Sequence, residues 1–233
     1  MTSILEQVLQ LEKGLFFFLN GSDSSFWDQF LYLYSYKWTW IPFYLCFLFV
    51  FTYRKNWKEI LLILLSVSFV ILLCDQITSS FFKPTFERFR PTHHPDFYEE
   101  VKTVLGYRGG KYGFISGHAA NAFGFATFTA MLFKNRIYTG MILLFALVNA
   151  YSRVYLGVHF VSDIVVGALV GIMIGYIIYK LYHFCRKKMF NMSRRELNKS
   201  LFSTSEIYFL CVSYVIFIVC LSIFNNQLIG ILF

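Results

Sequence analysis

The chain has 233 residues, of which 57% are hydrophobic and only 15% are charged, and its formal net charge is +8. Soluble globular domains carry about 25% charged residues, so this composition excludes a soluble protein and indicates an integral membrane protein. An excess of Lys and Arg in such a protein is typical of cytoplasmic loops and of lipid headgroup contacts, and no motif for binding nucleic acid is present. We therefore predict an all-α, polytopic membrane bundle of about six transmembrane helices, whose partners are the lipid bilayer and a membrane lipid.

The first part of the chain has the pattern of amphipathic helices. Apolar and polar residues alternate at helical spacing from Ser3 to Leu19, and Glu6, Glu12 and Lys13 make this segment too polar for a crossing. An aromatic-rich segment follows from Ser25 to Tyr36. We expect both segments to lie in the membrane interface.

Apolar runs then predict five or six crossings. They cover residues 41–53, 60 to about 80, 113–133, 137–151, 158–182 and 207 to about 224. On the fifth run, Gly167, Gly171 and Gly175 recur every four residues, which favours close approach of a neighbouring helix. We divide the chain into interfacial segments (1–38), a catalytic transmembrane core (39–184), a basic cytoplasmic linker (185–206) and an additional C-terminal transmembrane helix (207–233).

The basic clusters predict an orientation. Alternating crossings place Arg54–Lys58, Lys134–Arg136 and Arg186–Arg195 on one side of the membrane. The positive-inside rule makes that side cytoplasmic. The loop over residues 78–112 and the turn over residues 152–158 then fall together on the outer face.

A first group of polar residues lies in that long loop. Lys83 and Arg90 are seven residues apart, which is two helical turns, and Pro84 and Pro91 suit the beginning and the end of a short helix. The spacing predicts a short helix that presents two cations on one side. Interfacial binding of lipid headgroups is the alternative interpretation of the pair taken alone.

A second group begins the third crossing. Ser116, Gly117 and His118 stand where backbone N–H groups at a helix start favour an anion, and Gly117 lets a ligand approach the backbone closely. His118 is a candidate general acid. A histidine near a helix start is, when considered alone, more often structural.

A third group, Ser152 to Asp163, places charged residues in an apolar context. His159 and Asp163 are four apart, so on a helix they share a face and their side chains meet. A carboxylate on one imidazole nitrogen fixes the tautomer and makes the other nitrogen more basic, which suits a nucleophile or a base. Gly157 allows a turn that brings Arg153 to His159, and an arginine there indicates an anionic substrate such as a phosphate. A buried Arg–Asp pair with a packed histidine is the structural alternative.

Together the three groups resemble the signature of the type 2 phosphatidic acid phosphatase (PAP2) superfamily of membrane lipid phosphatases. The first part is matched by Lys83, Arg90 and Pro91, and the second by Ser116, Gly117 and His118. The third part is matched by Ser152, Arg153, His159 and Asp163. Ile115 stands where that family usually has proline. The resemblance covers roughly residues 60 to 180.

The resemblance implies a division of roles. His159 attacks phosphorus and forms a phosphohistidine, Asp163 orients His159, and His118 protonates the departing oxygen. The phosphate ligands are Lys83, Arg90, Ser116, the Gly117 amide, Ser152 and Arg153. Three cations oppose the phosphate, so we expect no metal and no cofactor. His93, His94 and Asp96 match no standard metal-site spacing, and a loop that meets the substrate's polar part, together with residues 107–111, is the preferred interpretation.

The predicted function is a metal-independent integral membrane phosphatase of a lipid phosphate or diphosphate, with undecaprenyl diphosphate or the phosphates of lipid A as the favoured substrates. Its predicted location is the bacterial inner membrane, with the active site facing the periplasm. Two alternatives stay open. One is a phosphotransferase of the same fold that passes the phosphoryl group to another lipid or a sugar. The other is a non-catalytic lipid-binding or transport protein, against which both His118 and His159 argue.

Overall fold

The computed structural model describes residues 2–232, without the side chains of residues 2–5, 194 and 232. Met1 and Phe233, the ends of the predicted first and last segments, lie outside the described residues. Helices account for most of the described chain, and the pairing of Phe89 with Tyr112 is an isolated bridge. The longer helices are α1 (Thr2–Asn20), α2 (Ser25–Ser35), α3 (Ile41–Thr52), α4 (Trp57–Gln76), α6 (Gly117–Phe133), α7 (Arg136–Tyr155), α8 (Val161–Phe190), α10 (Thr204–Ile223) and α11 (Asn225–Leu232); α5 (Lys83–Phe86) and α9 (Arg194–Leu197) are single turns.

The protein is an all-α, polytopic membrane bundle, as the composition predicts. Four helical stretches of the described chain are long and apolar enough to cross a membrane: 57–86, 136–155, 161–190 and 204–223. The first of these continues from α4 through a π-helical turn, Ile77–Phe82, into α5. Helix α8 extends beyond the predicted end of the fifth crossing, and Arg186, in the predicted linker, is buried against Glu59 of α4.

Helices α6 and α8 form the centre of the bundle, and small residues determine how closely they pack. A Cβ atom on Gly171 would lie 2.2 Å from the Ala120 carbonyl oxygen, and one on Gly167 would lie 2.6 Å from that of Ser116. The predicted role of these glycines in helix packing is confirmed. The close packing also brings two candidate site residues together, since the Ser116 amide donates to the Asp163 carbonyl oxygen at 3.0 Å.

Helix α1 differs in part from its predicted amphipathic pattern. Leu11 and Phe18 are exposed at 86% and 81%, as expected for a face toward lipid. The opposite face packs inward through Leu9, Glu12 and Phe16, all buried. The sequence pattern assigned Glu12 to a polar surface, and the structure shows that it has buried partners instead.

The expectation of one short helix from Lys83 to Arg90 is wrong. Helix α5 ends at Phe86 because Glu87 adopts a left-handed conformation (φ 45°). The chain then runs extended past Arg90, whose amide donates to the Lys111 carbonyl oxygen at 3.0 Å. Pairing with the segment around Lys111 therefore positions Arg90, rather than helical periodicity.

Candidate active site

His159 lies in the short connection between α7 and α8. Helix α7 ends at Tyr155, and Gly157 reverses the chain with φ +72°. An added Cβ at Gly157 would meet Val101 at 2.7 Å, so both the conformation and the close approach require glycine. The turn leaves Arg153 and His159 on the same side of the bundle, as the sequence predicts.

The His159 and Asp163 side chains are in contact, but they do not share a helix face. His159 precedes the first residue of α8, while Asp163 lies in the first turn of that helix. Asp163 Oδ2 is 3.3 Å from His159 Nδ1 and accepts a hydrogen bond from the Phe160 amide at 3.0 Å. The pair is therefore built by a helix-capping carboxylate. With Nδ1 donating to Asp163, the lone pair of Nε2 points away from the carboxylate.

Arginine side chains surround the other side of the imidazole. Arg90 Nη1 lies 3.2 Å from His159 Nε2 and donates to the Val158 carbonyl oxygen at 3.2 Å. Arg153 donates to the Ser35 hydroxyl through Nη1 and to the Tyr107 hydroxyl through Nη2, the latter at 2.9 Å. The buried Nε of Arg153 has no hydrogen-bond partner among the described residues.

The electrostatics of His159 and Tyr107 indicate that the cations converge. Burial, together with the positive charges of Arg90, Arg153 and Lys83, lowers the pKa of His159 well below its usual value of 6.5. Burial would raise the pKa of the Tyr107 hydroxyl, but Arg153, Arg90 and Lys83 lower it overall. The same three cations therefore act on one site, and they keep the His159 imidazole neutral at neutral pH.

The start of α6 completes the site. Ser116 is the N-cap residue, and its hydroxyl accepts from the Ala119 amide at 3.4 Å. His118, in the first turn, has an exposed imidazole that lies close enough to His159 and Arg153 for their charges to act on it. The start of this helix therefore faces the same three cations.

Among the predicted phosphate ligands, Ser152 is placed differently. It is fully buried, and its hydroxyl donates to the Asn149 carbonyl oxygen at 2.6 Å. The Ser152 hydroxyl therefore donates its proton within α7, the helix that carries Arg153, and not toward the other predicted phosphate ligands.

Four residues around the site were not assigned a role from the sequence pattern: Glu12, Ser35, Arg88 and Ser162. Arg88 Nη1 donates to Asp163 Oδ1 at 2.8 Å, which makes it the direct partner of the proposed catalytic carboxylate. Its position two residues before Arg90, within a basic segment, was the signal available in the sequence. Ser35 and Glu12 lie on distant helices, so only the fold brings them to the site.

His93 and His94, the histidines of the long loop, pack within that loop. Among the residues whose side chains the structure describes, no three His, Cys, Asp or Glu side chains are grouped to hold an ion. The His94 ring stacks on Phe97 with centroids 4.1 Å apart, and the His93 ring lies 3.2 Å from the Thr92 hydroxyl. Both imidazoles thus have contacts within the loop.

Comparison with known proteins agrees with this geometry. The sequence profile of the PAP2 superfamily matches residues 59–187. The chain is 43% identical to a lipid A 4′-phosphatase of Porphyromonas gingivalis, over 98% of this chain and 97% of that protein. It is 36% identical to a lipid A 4′-phosphatase of Bacteroides thetaiotaomicron, over 77% of this chain and 80% of that protein.

A solved structure is similar as well. The crystal structure of Aquifex aeolicus LpxE superposes with a TM-score of 0.53 at 27% sequence identity, over 73% of this chain and 95% of that one.

Proposed function

The chain belongs to the PAP2 superfamily and is a membrane lipid phosphatase, and within that class we propose that it removes the 4′-phosphate of lipid A. The observation that carries this choice of substrate is the 43% identity to a lipid A 4′-phosphatase over nearly the whole of both chains. The matched length includes the N-terminal helices and the loop over residues 78–112, which we expect to contact a large lipid headgroup. The second lipid A 4′-phosphatase supports the same choice.

In the proposed reaction, His159 is the nucleophile. Its Nε2 forms a bond to phosphorus while the bond from phosphorus to the sugar oxygen breaks. His118 donates a proton to the departing oxygen, since its imidazole is exposed and lies within reach of the charges of His159 and Arg153. Water then attacks the phosphohistidine, His118 takes a proton from that water, and phosphate and neutral His159 are released. Asp163 orients the imidazole and stabilises its positive charge in the intermediate.

Lys83, Arg90 and Arg153 are the proposed phosphate ligands, together with Ser116 and the Gly117 amide. Phosphoryl transfer depends chiefly on positioning and on stabilising charge. Among the described residues, no group accepts a hydrogen bond from Arg153 Nε or from the Lys83 side-chain amino group. Donors of this kind are available to phosphate oxygens without breaking existing contacts. Ser152 is proposed to support Arg153 from within α7, because its own proton is used by Asn149.

We also propose that the protein lies in the bacterial inner membrane with its site facing the periplasm. The site is at the end of the bundle where α8 begins, and Arg186, Lys187 and Lys188 lie near the end of that helix. The positive-inside rule assigns the basic end to the cytoplasm. A cysteine introduced at exposed Lys111 should then react with a membrane-impermeant maleimide in spheroplasts, and protection until lysis would reverse the orientation.

The substrate proposal is tested with purified protein in detergent. Four lipids are offered without added metal: lipid A, undecaprenyl diphosphate, phosphatidylglycerophosphate and phosphatidic acid. We expect release of inorganic phosphate to be fastest with lipid A, and fragmentation mass spectra to show that the 4′ position has lost its phosphate. Preference for another lipid, or loss of the phosphate at position 1, would contradict the proposal. Transfer to an added lipid without release of free phosphate would identify a phosphotransferase.

A further inference from the structure

A buried charged chain connects helix α1 to the site. Glu12 is 8% exposed and lies on the inward face of α1. Its Oε1 accepts from Arg88 Nη2 at 2.6 Å and from the Ser162 hydroxyl at 2.7 Å. Its Oε2 accepts from the Ser162 amide at 2.7 Å, in the first turn of α8.

Arg88 stands between Glu12 and the catalytic pair. Its Nη1 donates to Asp163 Oδ1 at 2.8 Å, and its guanidinium lies 4.5 Å from the centre of the Phe160 ring. Asp163 therefore uses one oxygen for Arg88 and the other for His159 and the Phe160 amide. With one oxygen held on each side, the carboxylate has a single orientation.

The charges along this chain alternate in sign. Asp163 is negative, Arg88 positive and Glu12 negative, and all three are buried. Without Glu12, the positive charge of Arg88 would compete with the positive charge that develops on His159 for the same carboxylate. Burying charges in this way rarely adds to stability compared with apolar residues. This chain, unlike an ion pair between two helices, ends on the carboxylate that contacts His159.

The other contacts of α1 hold Glu12 in place. Phe16 packs edge-on against Phe160, with ring centroids 5.3 Å apart. At the end of the helix, Asn20 Nδ2 donates to the Tyr155 carbonyl oxygen at 2.8 Å, next to the turn that presents His159. Helix α1 is thus anchored on both sides of the His159 connection.

We propose that Glu12 and Arg88 are positioning residues of the phosphatase reaction, and that α1 belongs to the active site. Arg88 fixes the orientation of the Asp163 carboxylate, and Glu12 balances the charge of Arg88 so that Asp163 supports His159. The inference rests on the proposed roles of His159 and Asp163. Neither Glu12 nor Arg88 is expected to touch the lipid.

The test is a pair of double-mutant cycles, with the turnover rate normalised to the number of sites that bind vanadate. Glu12→Gln keeps the shape of the side chain and removes its charge, and we expect about a tenfold lower rate with little change in KM. In an Arg88→Met background the same change should alter the rate less than about twofold, because Glu12 acts through Arg88. Arg88→Met should likewise have little effect in an Asp163→Asn background, and Arg88→Lys should restore part of the rate lost in Arg88→Met.

Glu6→Gln is the matched control, since Glu6 lies on the exposed side of the same helix, and it should leave the rate unchanged. The inference would be overturned if each substitution lowered the rate by the same factor in the wild-type and the mutant backgrounds. A normal rate for Glu12→Gln would also overturn it. The proposed function is judged separately by the wild-type protein on lipid A. If another lipid phosphate is the substrate, the cycles are measured with that lipid.

Discussion

The two ends of the helical bundle both contain buried charges, but the charges are arranged differently. At the end where α4 begins and α8 finishes, Glu59 accepts from Arg186 Nε at 3.0 Å and from the Tyr182 hydroxyl at 2.7 Å. At the opposite end, Arg90, Arg153 and Lys83 act on one histidine. The Asp163 carboxylate there is already bound by Arg88, and Arg153 Nε has no described partner.

The difference separates a structural ion pair from an anion site. A buried pair in which one cation faces one carboxylate, such as Arg186 with Glu59, holds two helices together. A group of cations that exceeds its counterions, and has free donors, is stabilised when an anion binds. Substitutions at the two ends of the bundle test this distinction.

Arg186→Met should affect stability and leave catalysis intact. The change leaves the buried Glu59 carboxylate without its cation, and removal of one partner of a buried pair typically costs about 3–5 kcal/mol. We expect a loss of that size in the free energy of unfolding in detergent, with an unchanged turnover rate per folded molecule. Lys187→Met, at an exposed neighbouring position, is the control and should change neither. A slower reaction per folded molecule would show that the two ends are coupled.

Arg153→Met should affect catalysis more than stability. Loss of one donor to the transition-state charge typically costs about 3–4 kcal/mol, so kcat/KM should fall about 100- to 1,000-fold. The stability cost should be smaller than for Arg186→Met, because removal of one cation relieves repulsion from Arg90 and Lys83. Steady-state kinetics and thermal unfolding measure the two effects, with exposed Arg136→Met as a control on the same helix. A large loss of stability without slower turnover would make Arg153 a structural residue.

The pH dependence should shift when a cation is removed. His159 must be neutral to attack, and its pKa is lowered by burial and by Arg90, Arg153 and Lys83, so the acid limb due to His159 should lie below pH 6.5. Arg90 is the nearest of these cations, so Arg90→Met should raise the pKa of His159 and move that limb to higher pH. Profiles of kcat/KM for both proteins on one substrate measure the shift. An unchanged limb would mean that Arg90 does not act on the nucleophile.

The sequence predicted those parts of the protein that depend on local patterns. Apolar runs predicted five or six crossings, and four described helical stretches are long and apolar enough to cross. Gly157 predicted the turn before His159, and Gly167 and Gly171 predicted the close packing of α6 and α8. The contact of His159 with Asp163 was also predicted, although a helix cap produces it rather than a shared helix face.

The parts that the sequence did not reveal depend on distant contacts. Glu12 was interpreted as a polar surface residue because its 76-residue separation from Arg88 hides their pairing. The extended conformation at Arg90 was missed because its spacing from Lys83 also fits two helical turns. The left-handed conformation of Glu87, which ends the helix before Arg90, has no signal in that spacing. A sequence pattern predicts only the surroundings that neighbouring residues create. The buried counter-charges of Arg88 come from distant parts of the chain, which the fold brings together.

In the proposed mechanism, the His159 imidazole carries the phosphoryl group during the reaction. The direct measurement is rapid mixing of the protein with its lipid substrate, quenching at alkaline pH where phosphohistidine survives, and mass spectrometry of the peptides. We predict a phosphoryl group on His159, and His159→Ala should retain its fold while losing both the labelled peptide and phosphate release. Phosphate on another residue, or full activity of His159→Ala in detergent, would contradict the claim.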